Sequence, residues 1–245
     1  PRALAAAEGR GVEALEVPAA GPDWPALRAR VERREDWWAE VRVDLPDGAR
    51  DALVWAGGIP YPVPPGSPAS VPVLLFPDAR TVRLEATDPE GRRRNGPGSE
   101  LPAGQGEAPA WAVVLTWTDG GADLDLWVTD GRRRTAAASP DPLFDPAAVP
   151  GVRHLFDSGV GGPSAAVAGW GDPAGVRAWA SCFADLGDTG AEARAYWIAR
   201  PGDPLEETIV PLGPRRLSQN PLRAAWRVWG PGGTLGREDG RTLGR

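Results

Sequence analysis

Three aspartates fall within seven positions, at Asp119, Asp123 and Asp125, around the glycine pair Gly120-Gly121. Carboxylates at that density are hard oxygen donors of the kind calcium takes, together with backbone carbonyls. A cation would also relieve the repulsion between them. In a strand after Gly121 successive side chains alternate, so Asp123, Asp125 and Trp127 share one face, and Leu124, Leu126 and Val128 share the other. Asp119 is placed to fold back over the first pair. The same residues have a simpler use: Asp119 caps the turn through its own backbone, and the other two sit on a wet sheet face. The segment lacks the twelve-residue helix-loop-helix calcium pattern and its terminal glutamate. Calcium at Asp119, Asp123 and Asp125 and plain turn chemistry both stand as expectations.

Twelve tryptophans is a high number for a chain of this length. Most are expected to anchor a core, because each indole carries a large apolar area with one polar group to satisfy. Trp127, placed on the wet face by its parity, calls for a partner. Trp179 and Tyr196 lie on later expected strands, with Arg177 and Arg194 sharing their respective parity. An aromatic strip with arginines across neighbouring strands suits another protein, a second copy or a glycan, and interfaces favour these residue types.

Catalytic equipment is sparse. His154 is the sole histidine and Cys182 the sole cysteine, and no serine sits in a nucleophile elbow. Asp123 and Asp125 lie on one strand with no implied cleft between them, unlike the flanking carboxylates of glycoside hydrolysis. A metal-dependent hydrolase built on the Asp119 to Asp125 turn is the enzymatic alternative. Two arginine triplets, Arg92 to Arg94 and Arg132 to Arg134, follow glycine turns and read as solvated hairpins or phosphate contacts. A net charge of −6 disfavours a broad nucleic-acid surface.

The run VVLTWTDGGADLDLWVTDG resembles the segment that marks the YfaP-like family, bacterial proteins carrying a domain of unknown function. Leu115-Thr116-Trp117 and Asp123-Leu124-Asp125-Leu126 agree with its pattern. Trp127 stands where members carry histidine, Asp130-Gly131 shortens the hairpin, and Gly161-Gly162-Pro163 matches a downstream stretch without its tyrosine or glutamate. Any role of that histidine is not carried over. The resemblance covers about residues 111–200. It implies an exported β-sandwich among periplasmic, cell-surface or extracellular components, and no activity.

These residues need strands to hold them. Val41, Val43 and Leu45 alternate with Arg42 and Asp44, and Val82, Leu84 and Ala86 with Arg83 and Glu85, as in a sheet with one wet face. Further strands are expected at 53–55, 71–76, 111–117, 123–129, 176–183, 191–198, 208–210 and 224–229. Trp24, Leu27, Val31 and Trp38 fit one helical face, with Asp23 as N-cap and Pro25 in the first turn. The chain therefore reads as all-β, two β-sandwich-like domains with one short N-terminal helix. Residues 1–22 form a loose arm, 23–94 a β-rich domain with the helix, 95–109 a linker, 110–230 the YfaP-like sandwich and 231–245 a tail.

Composition agrees with many turns. Glycine supplies 32 residues and proline 28, without a collagen period, while 42% of the chain is apolar. Lysine and methionine are absent and amides are rare, which fits a GC-rich genome or a thermophile. No apolar run reaches the length of a membrane span. The expected function is a non-catalytic binding or structural module that mediates protein contact, with a glycan-binding module as the alternative.

Overall fold

The computed structural model describes residues 24, 26–33, 35–76, 81–118, 121–136, 147–158, 162–185, 191–199, 208–217 and 226–229. The first half carries β1 (Arg28–Arg33), β2 (Trp38–Asp44), β3 (Arg50–Ala56), β4 (Ile59–Pro62), β5 (Ala69–Leu74), β6 (Thr81–Thr87), β7 (Arg93–Asn95) and β8 (Ser99–Glu100). The second carries β9 (Trp111–Trp117), β10 (Ala122–Thr129), β11 (Arg134–Thr135), β12 (Val152–Asp157), β13 (Ser164–Gly169), β14 (Arg177–Asp185), β15 (Ala191–Ala199), β16 (Thr208–Leu217) and β17 (Trp226–Trp229). The described chain is all-β, and its strand pairs are antiparallel.

The helix expected over residues 24–38 is not there. Residues 28–33 form β1, paired with β2 from Arg28↔Asp44 to Arg33↔Ala39. Leu27, Val31 and Trp38 match a helical face, but Arg28-Ala29-Arg30-Val31-Glu32 also alternates with period two. Tertiary pairing decided between the two periods, and the exposed arginines and glutamate mark the wet side.

Four sheets result. Their orders are β1-β2-β5, β4-β3-β6-β7 with β8 also on β6, β12-β13-β9-β15-β16, and β11-β10-β14-β17. The third is buried on both faces along β9 and β13, which explains the unbroken apolar run of β9: all seven of its residues are buried. Trp111, Val113, Leu115 and Trp117 join Ala165, Val167, Ala193 and Ala195 in one core, against Leu124, Leu126, Val128, Ala178 and Ala180 of the β10–β14 sheet. Ala112 and Val114 face the other way with Ala166, Ala168, Tyr196 and Ile198, into a core shared with Val41, Val71, Val54, Tyr61 and Leu84 of the first half. Each large apolar side chain buried this way contributes ~1.5–3 kcal/mol relative to exposure.

The double burial also constrains size. A Cβ on Gly169 would meet the Trp111 ring at 2.2 Å, so β13 must stay small where it crosses that indole. Ser164 Oγ donates to the Pro72 carbonyl at 3.2 Å and fastens β13 to β5. Residues 95–109, linker-like in composition, run across the first half. Ser99 Oγ donates to Ala29 O at 3.2 Å, Leu101 is buried, and Gly104 N donates to Phe76 O at 2.6 Å. Among the described residues no helix is long and apolar enough to cross a membrane.

Candidate functional site: the outer face of the β10–β14 sheet

Register places Trp127 opposite Trp179, Asp125 opposite Ser181 and Thr129 opposite Arg177. Because Leu124, Leu126 and Val128 are spent on the core, the alternate residues Asp123, Asp125, Trp127 and Thr129 take the outer face. On β14 the same logic turns Ala178 and Ala180 inward, and Arg177, Trp179, Ser181 and Phe183 outward. The expected shared face of Asp123, Asp125, Trp127, Trp179 and Arg177 is therefore assembled. Asp119 lies outside the described residues.

Two features of the face differ from the sequence picture. Trp127 is on the outer side but only 6% exposed. Trp179 stacks on it with centroids 5.6 Å apart and planes 11° from parallel, and the Arg134 guanidinium of β11 lies 4.5 Å from its ring centroid. Its indole N–H reaches Ser181 Oγ at 3.4 Å. The wet aromatic is thus covered by its own neighbours. Trp179 Nε1 is buried with no hydrogen-bond acceptor among the described residues.

Phe183 is the second departure. It is 63% exposed, the one exposed large apolar side chain among the described residues. It lies at the bulge where pairing slips between Asp123↔Ala184 and Leu124↔Cys182. Arg134, Ser181 and Phe183 were absent from the expected site. The parity that singled out Trp179 also points to Ser181 and Phe183.

Tyr196 and Arg194 do not join this face. β15 belongs to the doubly buried sheet, where Tyr196 is 2% exposed and packs into the core shared with the first half. Burial pushes the Tyr196 phenol up, while Arg194 and a hydrogen bond with Thr116 pull it back. Arg194 is exposed and pairs with Glu192 at 3.3 Å. Strand parity relates residues within one sheet and is silent about which sheet a strand joins.

The acidic end carries its own electrostatics. Burial pushes the Asp123 carboxyl above the usual carboxylate range. Asp125 is pushed up by burial and by the Asp123 charge, with Arg134 pulling it back in part. Two carboxylates supply few of the roughly six to eight oxygens calcium takes. Among the described residues no group of three or more His, Cys, Asp or Glu is gathered to hold a metal.

The arginine triplets are engaged at home. Asp88 accepts from Arg92 N, Arg92 Nε and Arg94 Nε, each at 2.8 Å, and Arg93 pairs with Glu85 at 3.1 Å. In the second hairpin Asp130 accepts from the backbone N–H groups of Arg132 and Arg133 at 2.8 and 2.6 Å. Other nucleophilic and basic side chains are placed as follows. Ser158 Oγ donates to Ser164 O at 2.6 Å, Cys182 Sγ contacts Ala184 O at 3.3 Å, and His154 stands on β12 in the other sheet.

Compared with known proteins, the chain matches no family model, no curated sequence and no solved structure.

Proposed function

We propose that this protein is a non-catalytic contact module whose outer β10–β14 face docks a second copy of the chain. The observation that carries the reading is Phe183, a 63% exposed aromatic beside the stacked Trp127–Trp179 pair. Apolar anchors flanked by tryptophan and arginine are the residue types on which interfaces depend.

Charge order along the face supports a second copy as the occupant. From one end to the other it runs Asp123, Asp125, the tryptophan pair, then Arg177 with Arg134. A two-fold axis through the tryptophan pair sets the carboxylates of one copy against the arginines of the other, which is what an isologous contact requires. The raised Asp123 and Asp125 carboxyls gain cationic neighbours. β10 and β14 run about 27 Å beside the shorter β11 and β17, and the four strands cover on the order of 400 Å² in projection. That is below the standard interface size and suits a weak dimer of roughly micromolar affinity.

A glycan platform needs an open aromatic face, whereas Trp127 is covered by Arg134 and Trp179. The resemblance of residues 111–200 to YfaP-like proteins agrees with a contact role in an envelope or extracellular assembly. Light scattering on wild type and Phe183→Ser tests the reading. Wild type is expected to approach twice the chain mass of 25.8 kDa at tens of micromolar, and the variant to fall back towards one chain. A wild type that stays at one chain mass overturns it.

A further inference from the structure

Asp123 and Asp125 stand two positions apart on the outer face of β10, both half-buried. Like charges that close, with part of their water removed, resist being ionised together. The charged groups set around them are few. β11 supplies Arg134, which lies over the Trp127 ring. β14 supplies Arg177, and Asp185 opposite Ala122 in register. β13, packed behind β10, carries no charged residue. β12 carries Arg153, His154 and Asp157, and it belongs to the sheet across the core.

Within one copy Arg177 is far from the carboxylates. It pairs in register with Thr129, while Asp125 pairs with Ser181, a separation of four residues along the strands. That is about 14 Å, more than a Debye length at physiological salt. A two-fold axis through Trp127 and Trp179 changes this. Asp125 and Arg177 lie equally far to either side of the tryptophan pair, so the axis brings Arg177 of one copy to Asp125 of the other. Docking therefore gives the ionised carboxyls a cation that a single chain does not place beside them.

Resting on that docking reading, we propose that the contact is acid-labile: protonation of Asp125, with Asp123 beside it, releases the second copy. In the single chain both carboxyls are pushed up from the ordinary value, by burial and, at Asp125, by the Asp123 charge as well. In the docked pair the opposing arginines pull them down. The single chain thus binds more protons as pH falls, and mass action draws the docked pair apart. The contact is complete at neutral pH and is lost as pH drops into the carboxylate range.

Sedimentation velocity of the full chain at pH 7 and pH 4.5, at one ionic strength, tests the proposal, with circular dichroism checking the fold at both. The wild-type dissociation constant is expected to rise at least about tenfold on acidification. Asp123→Asn/Asp125→Asn should associate more weakly at pH 7 and no more weakly still at pH 4.5. Arg177→Gln keeps both carboxyls and should flatten the pH dependence too, so it serves if the asparagine variant fails to fold. A wild type that is monomeric at pH 7 overturns the docking reading and the acid release with it. A wild type that associates equally at both pH values, or a folded variant with the full wild-type dependence, overturns the acid release alone.

Discussion

Trp127 and Trp179 face each other across β10 and β14 with their rings 11° from parallel and 5.6 Å between centroids. Arg134 lies over Trp127 from β11, and β17 sets Arg227 opposite Trp179 in register. The stacked pair and the Arg134 contact thus tie β10, β11 and β14 together. Cross-strand pairs of this kind stabilise a sheet by ~0.2–1 kcal/mol each beyond their burial.

Trp127 and Phe183 should therefore separate stability from association. Trp127→Ala removes a buried, stacked indole and is expected to cost about 3 kcal/mol in urea unfolding. Phe183→Ser removes an exposed ring and should shift the midpoint little while weakening self-association. Equal destabilisation by both would mean that Phe183 belongs to the fold.

Asp125→Asn should raise the melting temperature at pH 7 when measured at concentrations too low for association. Its folded carboxyl is raised by burial and by Asp123, so its contribution to stability is greatest below the ordinary carboxylate value of 3.8 and is lost as pH rises through the folded value. Solvent screening at this half-exposed position keeps the gain under about 1 kcal/mol. A fall in melting temperature would show that a cation or the Arg134 charge more than compensates the carboxylate.

His154 gives a separate acid window. Its folded value, lowered from 6.5 to about 4 by burial, sits below the unfolded one, so the unfolded chain takes up the proton first. Stability is complete above about pH 6.5 and declines towards pH 4, by up to about 3 kcal/mol. Asp157, 4.0 Å away, faces the ring and recovers part of this once the imidazole is charged. Denaturant unfolding of His154→Leu between pH 7 and pH 4 should lack that slope.

Asp88 acts lower still. Burial pushes its carboxyl up, but Arg94 and Arg92 hold it well below the usual carboxylate range. Its contribution is present above the unfolded value of 3.8 and is lost as pH falls below it. Asp88→Ala should melt earlier than wild type at pH 7 and at pH 5, with the difference shrinking only below about pH 4. A constant difference down to pH 2 would assign the loss to packing.

Sequence alone exposed the half-wet strands, because Val41-Arg42-Val43 and Val82-Arg83-Leu84 alternate between core and water. It concealed β13, whose Ser-Ala-Ala-Val-Ala-Gly run is buried on both faces and therefore shows no alternation. In β9 the bulky residues of an equally buried strand were enough to give it away. Arg28–Arg33 satisfied two periods at once, and the pairing with β2 that settled it is non-local. At the candidate site, Asp123, Asp125, Trp127, Arg177 and Trp179 share a face because two strands kept their parity. Tyr196 was misplaced because sheet membership depends on contacts distant in sequence. Phe183 escaped because its exposure shows only once the sheet beneath it has formed.

Sedimentation velocity on a charge-swap cycle tests the central claim most directly. Arg177→Glu and Asp125→Arg should each weaken self-association, and the double variant should recover most of it, because the two positions lie equally far to either side of the tryptophan pair and the reversed charges meet again across the two-fold axis. Recovery in the double variant is expected if the two faces meet head to tail. A wild type that remains monomeric to on the order of 100 µM, or a double variant no tighter than its parents, would contradict it.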